Sequence, residues 1–416
     1  MNRVMHYAMA GISLVLCFVV GTTVLVVNSL AAPNPTLPGQ EPEKIVRLTP
    51  PQPNERINLL LLGVDEGLLP GGIRAATRSD TMMLASFDPK TGSLNVLSIP
   101  RDSRVDMPGR SKADKMGHAH AFGGVSLVVD TLEQLLDIPI HYYVRVDHGA
   151  FRRIIDAIGG VDYYVERDMF YEDPYQDLYI DLKQGQQKLN GDKAEQYVRY
   201  RGNGSDIDRI ARQQKFLMAA IRQALKPANL LKVNNLVDIV MRSVYTNVDS
   251  SDVLRFLPYL DGFSDTRVST YVLPGDNAVV NGTWFWELDR AGMDEILASA
   301  FWDDLQGDPR QVRLKIVDAT GSDRAGSLIA RFARRGFSVV DVETATEVAK
   351  STSITSHDGN DPAALMVFRF IKSGDLFSEV PKEGVDHEYD VTLILGQDLY
   401  RQEESLFPCN QRHWPS

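Results

Sequence analysis

INLLLLGVD, residues 57–65, is a short and almost unbroken apolar run that ends on a carboxylate. Three similar runs follow: DTMMLASFD (80–88), LNVLSIP (94–100) and HYYVRVD (141–147). Runs of this length, apolar on consecutive residues, read as strands buried on both faces of a sheet. Such a sheet needs helices above and below it. GGVSLVVDTLEQLLD (123–137) and GAFRRIIDAIGG (149–160) are amphipathic at helical spacing, and the second closes on a glycine pair suited to a left-handed helix cap. The alternation predicts an α/β core of three layers, α/β/α, with helices on both faces of the sheet.

Working outward, Ser205 is placed to cap a helix running to Lys226. Ile207, Ile210, Leu217, Ile221, Ala224 and Leu225 recur along it at three- and four-residue spacing, and Arg209, Arg212 and Gln213 lie on the opposite side. TRVSTYVLPGD (266–276) reads as a strand. In WFWELD (284–289), which follows it, the tryptophan pair reads as packing rather than as a sugar platform. A smaller α/β unit is expected over 311–400: VRLKIVDATG as a strand, SDRAGSLIARFARRG as a helix, then FSVVDVETA, ALMVFRFI and YDVTLILG as strands. The glycines of DATGSDRAG lack the P-loop lysine and the dinucleotide spacing, so a tight turn is expected there. The tail 401–416 shows no pattern.

The N-terminus points to the membrane. Ala8–Val27 is twenty residues of apolar, Gly, Ser and Thr character, enough for a helix of about 30 Å, the thickness of a bilayer core. Arg3 beside it orients the remainder of the chain outside the cell. A cleaved signal peptide is the alternative, with Ser29 and Ala31 as small cleavage-site residues. Either reading exports the protein; an anchor over 1–32 makes it single-pass, with its domains outside the membrane. Seven of the 21 prolines fall between Pro33 and Pro53, a semi-extended linker over 33–56. The two cysteines, Cys17 and Cys409, provide neither a disulfide framework nor a zinc site.

With 55 acidic residues against 44 Lys and Arg, the formal net charge is -11, which excludes a broad nucleic-acid surface. Against that background YVRYRGNGSDIDRIARQQ (197–214) concentrates four arginines. They read either as a solvated helix face balanced by Asp206 and Asp208 or as a site for a small anion. Other charges gather at strand ends, where open α/β sheets place ligand crevices: Asp65, then Arg78 and Asp80, then Arg101 and Asp102. Asp65 and Asp80 suit Mg2+ (or Mn2+), which takes one or two carboxylates and completes its shell with water and phosphate oxygens. Arg78, Arg101, Arg199, Arg201, Arg209 and Arg212 form a candidate collar, because a guanidinium fork grips phosphate oxygens in pairs. Neither a Ser-His-Asp elbow nor HExxH is present.

RSDTMM (78–83), SIPRDSRV (98–105), KMGHAHAFGG (115–124), VDHGAFRRIIDAIGGVD (146–162), LNGDKAEQYVRYR (189–201) and DIDRIARQQKF (206–216) follow one another in an order that resembles the LytR-CpsA-Psr family of bacterial cell-envelope proteins. The resemblance covers about 57–226. It implies an α/β/α catalytic domain with a mixed central sheet, completed by about residue 310, with 312–396 similar to a C-terminal domain that some members carry, its ligand unknown. It also implies a phosphotransferase that moves a glycopolymer from a polyprenyl pyrophosphate carrier to a peptidoglycan hydroxyl, with Mg2+ on the pyrophosphate. Carried over by motif, Asp65 and Asp80 would contact the metal or its waters. Arg78, Arg101, Lys115, Arg199, Arg201, Arg209 and Gln213, with Arg212 at the margin, would bind the pyrophosphate. Gly117, His118 and His120 depart from the family's usual residues, and the histidines read as a proton relay or as a solvated turn.

Phosphoryl transfer is mostly positioning and charge stabilisation, so such a collar is sufficient machinery. Asp102 or Asp80 is the expected base for the attacking hydroxyl. Apolar residues of 123–137 and 206–226 serve either as a lipid tunnel or as ordinary core. Two other functions fit the same residues: an exported polyprenyl-pyrophosphate phosphatase, and a non-catalytic envelope scaffold.

Overall fold

In the computed structural model the described residues lie between Val46 and Asp398, excepting 47, 53–54, 66–67, 70–72, 75–77, 174–177, 203–205, 225, 231, 233–235, 237–238, 249–266, 303–304, 306, 322–324, 358 and 380–387. The apolar run 8–27, the Ser205 cap and the tail 401–416 fall outside them, as does part of the 318–326 turn. Among the described residues no helix is long and apolar enough to cross a membrane. The chain divides into two compact units between Met293 and Asp294.

The first unit is built on six strands: β1 (Ile57–Asp65), β2 (Arg78–Asp88), β3 (Ser93–Ser98), β4 (Tyr142–Asp147), β5 (Tyr245–Thr246) and β6 (Val268–Val272). Their order across the sheet is β5-β4-β1-β2-β3-β6. β1 runs antiparallel to β2 and parallel to β4, so the sheet is mixed. Alternate residues divide between its faces. Ile57, Leu59, Met83, Phe87, Val96 and Tyr142 bury one face against Ile154 of helix α2 (His148–Ala157) and Leu217 of helix α4 (Asp206–Ala224). Leu60, Leu62, Met82, Leu84 and Leu97 are as deeply buried on the other, and β2 there touches helix α1 (Ala119–Leu136). Helix α3 (Gly191–Arg199) packs on α2.

Local sequence explains where these helices begin and end. The Asp147 carboxylate accepts from the Ala150 N–H (2.6 Å) at the start of α2, and the Asn190 side chain accepts from the Lys193 N–H (3.0 Å) at the start of α3. Gly159 and Gly160 (φ 82° and 74°) end α2 as their pairing implied. α1 begins at Ala119, earlier than its pattern suggested, and breaks at Gly123 and Gly124, whose backbone is not helical. A hairpin of β7 (Gly275–Val280) and β8 (Thr283–Leu288) follows β6.

The second unit holds β9 (Arg313–Asp318), α5 (Ala325–Arg334), β10 (Ser338–Thr344), β11 (Ser353–Ser356), α6 (Asp361–Ile371), β12 (Asp375–Ser378) and β13 (Val391–Leu395). Its sheet order is β10-β9-β13-β11-β12. ALMVFRFI, expected as a strand, is the body of helix α6. Its buried residues Ala363, Ala364, Met366, Val367, Phe370 and Ile371 repeat at helical spacing, and Pro362 stands in the first turn where its missing N–H costs nothing.

Candidate active site

The site begins with an irregularity in the β1–β2 pairing. Gly63 faces Thr81 and Val64 faces Ser79, so Asp80 has no partner across the ladder. It is the extra residue of a bulge, a device that re-aims a side chain at a strand end. A Cβ at position 63 would stand 3.0 Å from the Thr81 Cβ, so glycine lets the strands close beside the bulge. The re-aimed Asp80 carboxylate accepts a hydrogen bond from Nη1 of Arg101.

Arg101 stands on the turn after β3, where the Ser103 N–H bonds the Pro100 carbonyl (3.0 Å). That turn is held on two sides. Met116 and Gly117 donate their N–H groups to the carbonyls of Ser103 (2.8 Å) and Arg101 (2.7 Å), and Trp286 of β8 donates to the Asp102 carbonyl (2.8 Å). A side chain at 117 would meet the Ser79 carbonyl at 3.1 Å and the Arg101 carbonyl at 3.2 Å, which accounts for Gly117. Lys115 Nζ lies 2.8 Å from the Asp102 carboxylate, and Arg101 Nε lies 3.9 Å from it.

Helix α4 brings Arg209 in from the opposite side. Arg209 is only 4% exposed. Its Nη2 lies 2.7 Å from Asp206 Oδ1 and donates to the Asp80 carbonyl at 3.4 Å, while its buried Nε has no hydrogen-bond partner. Gln213 accepts from the Thr81 hydroxyl (3.4 Å) and donates to the Val198 carbonyl (3.2 Å), tying α4 to β2 and to the end of α3. The face carrying Arg209 and Arg212 is therefore turned into the protein and is not solvated.

The electrostatics bind these groups into one cluster. Burial raises the Asp80 pKa, but the charge and hydrogen bond of Arg101, then the charges of Arg209 and Arg201, outweigh it and hold the carboxyl below its usual value. Burial, together with repulsion from Arg101 and Arg201, lowers Arg209 to about 10 despite Asp206 and Asp80. Three guanidinium groups thus bear on one carboxylate, with cationic repulsion between them.

A second group adjoins this one. In the parallel β1–β4 pairing Val64 faces Asp147, so Asp65 and His148 leave the sheet side by side. His148 Nε2 stands 3.7 Å from Asp65 and its Nδ1 3.5 Å from Glu195. Glu195 also pairs with Arg199 (2.9 Å) and Arg152 (3.2 Å). Burial and the Arg199 charge lower the His148 pKa against the opposing pull of Glu195, Asp65 and Asp80, so all three carboxylates act on this imidazole. Arg78 is exposed and faces Asp65 across the ladder.

Of the residues singled out from sequence, Asp80, Arg101, Arg201 and Arg209 share one neighbourhood. Asp102 and Lys115 join it through the turn and Gln213 through Thr81, while Asp65 and Arg199 border His148 and Arg78 faces Asp65 across the ladder. Arg212 lies elsewhere: it pairs with Glu166 (3.3 Å), donates to the Tyr200 carbonyl and covers the Tyr200 ring. His118 bonds Asp114 (3.0 Å), and His120 is buried. His148 and Glu195 were not anticipated; Glu195, four residues before Arg199 on a helix, carried the one readable signal, while Asp206 pairs with Arg209 as the balanced-face reading had it. Among the described residues no three His, Cys, Asp or Glu side chains gather as a metal site.

The chain is similar to known proteins across the first unit. It is 32% identical over 250 residues to the polyisoprenyl-teichoic acid–peptidoglycan teichoic acid transferase TagU of Bacillus cereus, covering 58% of this chain and 77% of the relative. To the TagU of Oceanobacillus iheyensis it is 34% identical over 240 residues, 56% of this chain and 71% of the relative. The crystal structure of B. subtilis TagV superposes with a TM-score of 0.52 at 28% identity, over 60% of this chain and 96% of TagV. The LytR_cpsA_psr family model matches residues 22–301, and the chain belongs to that family.

Proposed function

We propose that this chain is a membrane-anchored transferase that moves a glycopolymer from a polyprenyl pyrophosphate carrier to a peptidoglycan hydroxyl. One observation carries the reading: Arg101 bonds the Asp80 carboxylate and the buried Arg209 reaches the Asp80 carbonyl, with the charge of the exposed Arg201 acting on both Asp80 and Arg209. An excess of positive charge in a partly desolvated space favours a multiply charged anion, whose binding relieves that repulsion. The TagU relatives are named for a polyisoprenyl-linked donor and a peptidoglycan acceptor, which supports the same substrate classes here. The apolar run 8–27 would hold the catalytic unit at the outer membrane surface, where such a lipid is available.

In the transfer, the acceptor hydroxyl oxygen forms a bond to the sugar-side phosphorus. The bond from that phosphorus to the bridging oxygen breaks, and polyprenyl monophosphate leaves with the bridging oxygen. The hydroxyl proton passes to a carboxylate. Asp102, paired with Lys115, is the one assigned here, because the pKa depression that Arg101 imposes on Asp80 makes Asp80 a weak base. The arginines spread the charge of the transferring phosphoryl group. Asp65 and Asp80 are the residues that would hold Mg2+ or Mn2+, which would supply charge neutralisation; the low Asp80 pKa keeps that side chain anionic.

The test combines a polyprenyl-pyrophosphate-linked glycan, Mg2+ and peptidoglycan sacculi with the full chain. The expected result is glycan joined to the sacculi by a phosphodiester, with polyprenyl monophosphate released only when acceptor is present. Release without acceptor would identify a phosphatase, and no turnover a scaffold.

A further inference from the structure

The β7–β8 hairpin matches the packing role expected of its tryptophans at one of the two positions. Trp286 fits that role: its indole N–H donates to the Leu273 carbonyl (3.1 Å), and Gly275 leaves room for the ring, since a Cβ there would stand 2.8 Å from Nε1. Trp284 does not, being 65% exposed. Asn277 faces Trp286 and Val279 faces Trp284, so these four side chains share one face, exposed progressively toward the tip. The tip is Asn281–Gly282 with φ of 51° and 77°, a tight turn that makes the hairpin a rigid support.

The base of this hairpin belongs to the candidate site. Trp286 donates to the Asp102 carbonyl, Ser103 bridges to Trp286, Glu287 pairs with Arg104 (3.3 Å), and Lys115 stands 5.9 Å from the Phe285 ring on the opposite face. The exposed indole is therefore carried on the same strand that positions the Arg101–Asp102 turn.

We infer that the Trp284–Asn277 face of this hairpin is a platform for the acceptor, on which a neutral N-acetylated hexosamine of the peptidoglycan glycan strand stacks. This deepens the proposed function and rests on it. An exposed indole offers a flat apolar surface to a pyranose ring, and the Asn277 amide offers both a donor and an acceptor to hydroxyl and N-acetyl groups. The occupant is neutral because the face carries no charge. A bilayer is disfavoured: residues 275–288 contain Asp276 and Glu287 and no Lys or Arg, the wrong sign for an anionic lipid surface. The acceptor is favoured over the donor glycan because the strand leads to Asp102, the carboxylate proposed to take the hydroxyl proton.

The experiment measures binding of soluble, peptide-free peptidoglycan glycan strands to the full chain, and separately the KM for acceptor and for lipid-linked donor. Trp284→Ala is expected to weaken strand binding and raise the acceptor KM about tenfold, with donor KM unmoved and Trp284→Phe close to wild type. Unaltered strand affinity in Trp284→Ala would overturn the inference. So would loss of binding to phosphatidylglycerol vesicles in place of glycan. Strand binding through Trp284 in a chain that transfers nothing would leave the platform standing and remove the transferase reading instead.

Discussion

Arg209 and Arg212 lie three positions apart on one helix, yet their surroundings give them different work. Arg209 shares Asp80 with Arg101 and Arg201 and is held in mutual repulsion, a state that an anion relieves. Arg212 is satisfied within the protein by Glu166 and the Tyr200 carbonyl. Arg209→Ala should lower the transfer rate by roughly 10³, the worth of a well-placed guanidinium in phosphoryl transfer. Arg212→Ala should instead cost roughly 1–3 kcal/mol of stability, seen in denaturant titration, with donor affinity retained. A loss of donor affinity in Arg212→Ala matching that of Arg209→Ala would contradict this division.

At the scale of elements, the bulge at Asp80 and the Pro100–Ser103 turn set the aim of the site, and Gly117 is where they meet. Gly117→Ala presses a methyl group against two backbone carbonyls that have no side-chain freedom to yield. It should reduce transfer with little change in circular dichroism. The C-terminal end of α1 makes a different prediction. Burial first, then the Asp130 charge, raises the Glu133 pKa well above the ordinary carboxyl value, although the Ile140 N–H (2.7 Å) opposes the shift. Its folded pKa exceeds the unfolded one, so its contribution is full below about 4.5 and is lost as pH rises through the folded value. Glu133→Gln keeps an oxygen for the Ile140 N–H without a charge to bury. The variant should melt higher than wild type at neutral pH and lose that advantage in acid.

The elements were unevenly legible. β1 to β4 could be read because each is a short apolar run between turn residues. α6 could not, because ALMVFRFI is apolar on nearly every residue and carries no period; its helical signal was the Asp361–Pro362 start before it. The arginines of the site were recognisable by residue type and motif order. His148 was not, because its position beside Asp65 depends on the register between β1 and β4, which lie about eighty residues apart in sequence. Arg212 was grouped with Arg209 by helical spacing, and only the packing of Tyr200 and Glu166 separates them.

For the whole molecule, the contrast is between a net charge of -11 and a small, partly buried cluster of guanidinium groups. Diffuse acidity repels polyanions at long range, so affinity must come from close contact and should fall only modestly with salt. On the proposed anchoring, the full chain should sediment with membranes and be digested by protease added outside spheroplasts; a chain in the soluble cytoplasmic fraction would refute that placement. The most direct test of the central claim is the affinity of wild type and of Arg101→Ala, Arg201→Ala and Arg209→Ala for polyprenyl pyrophosphate, measured by titration calorimetry with and without Mg2+. Convergence predicts that each arginine variant binds about tenfold or more weakly, and that Mg2+ strengthens binding in wild type but not in an Asp65→Asn, Asp80→Asn double variant. Wild-type affinity in all three arginine variants would contradict it.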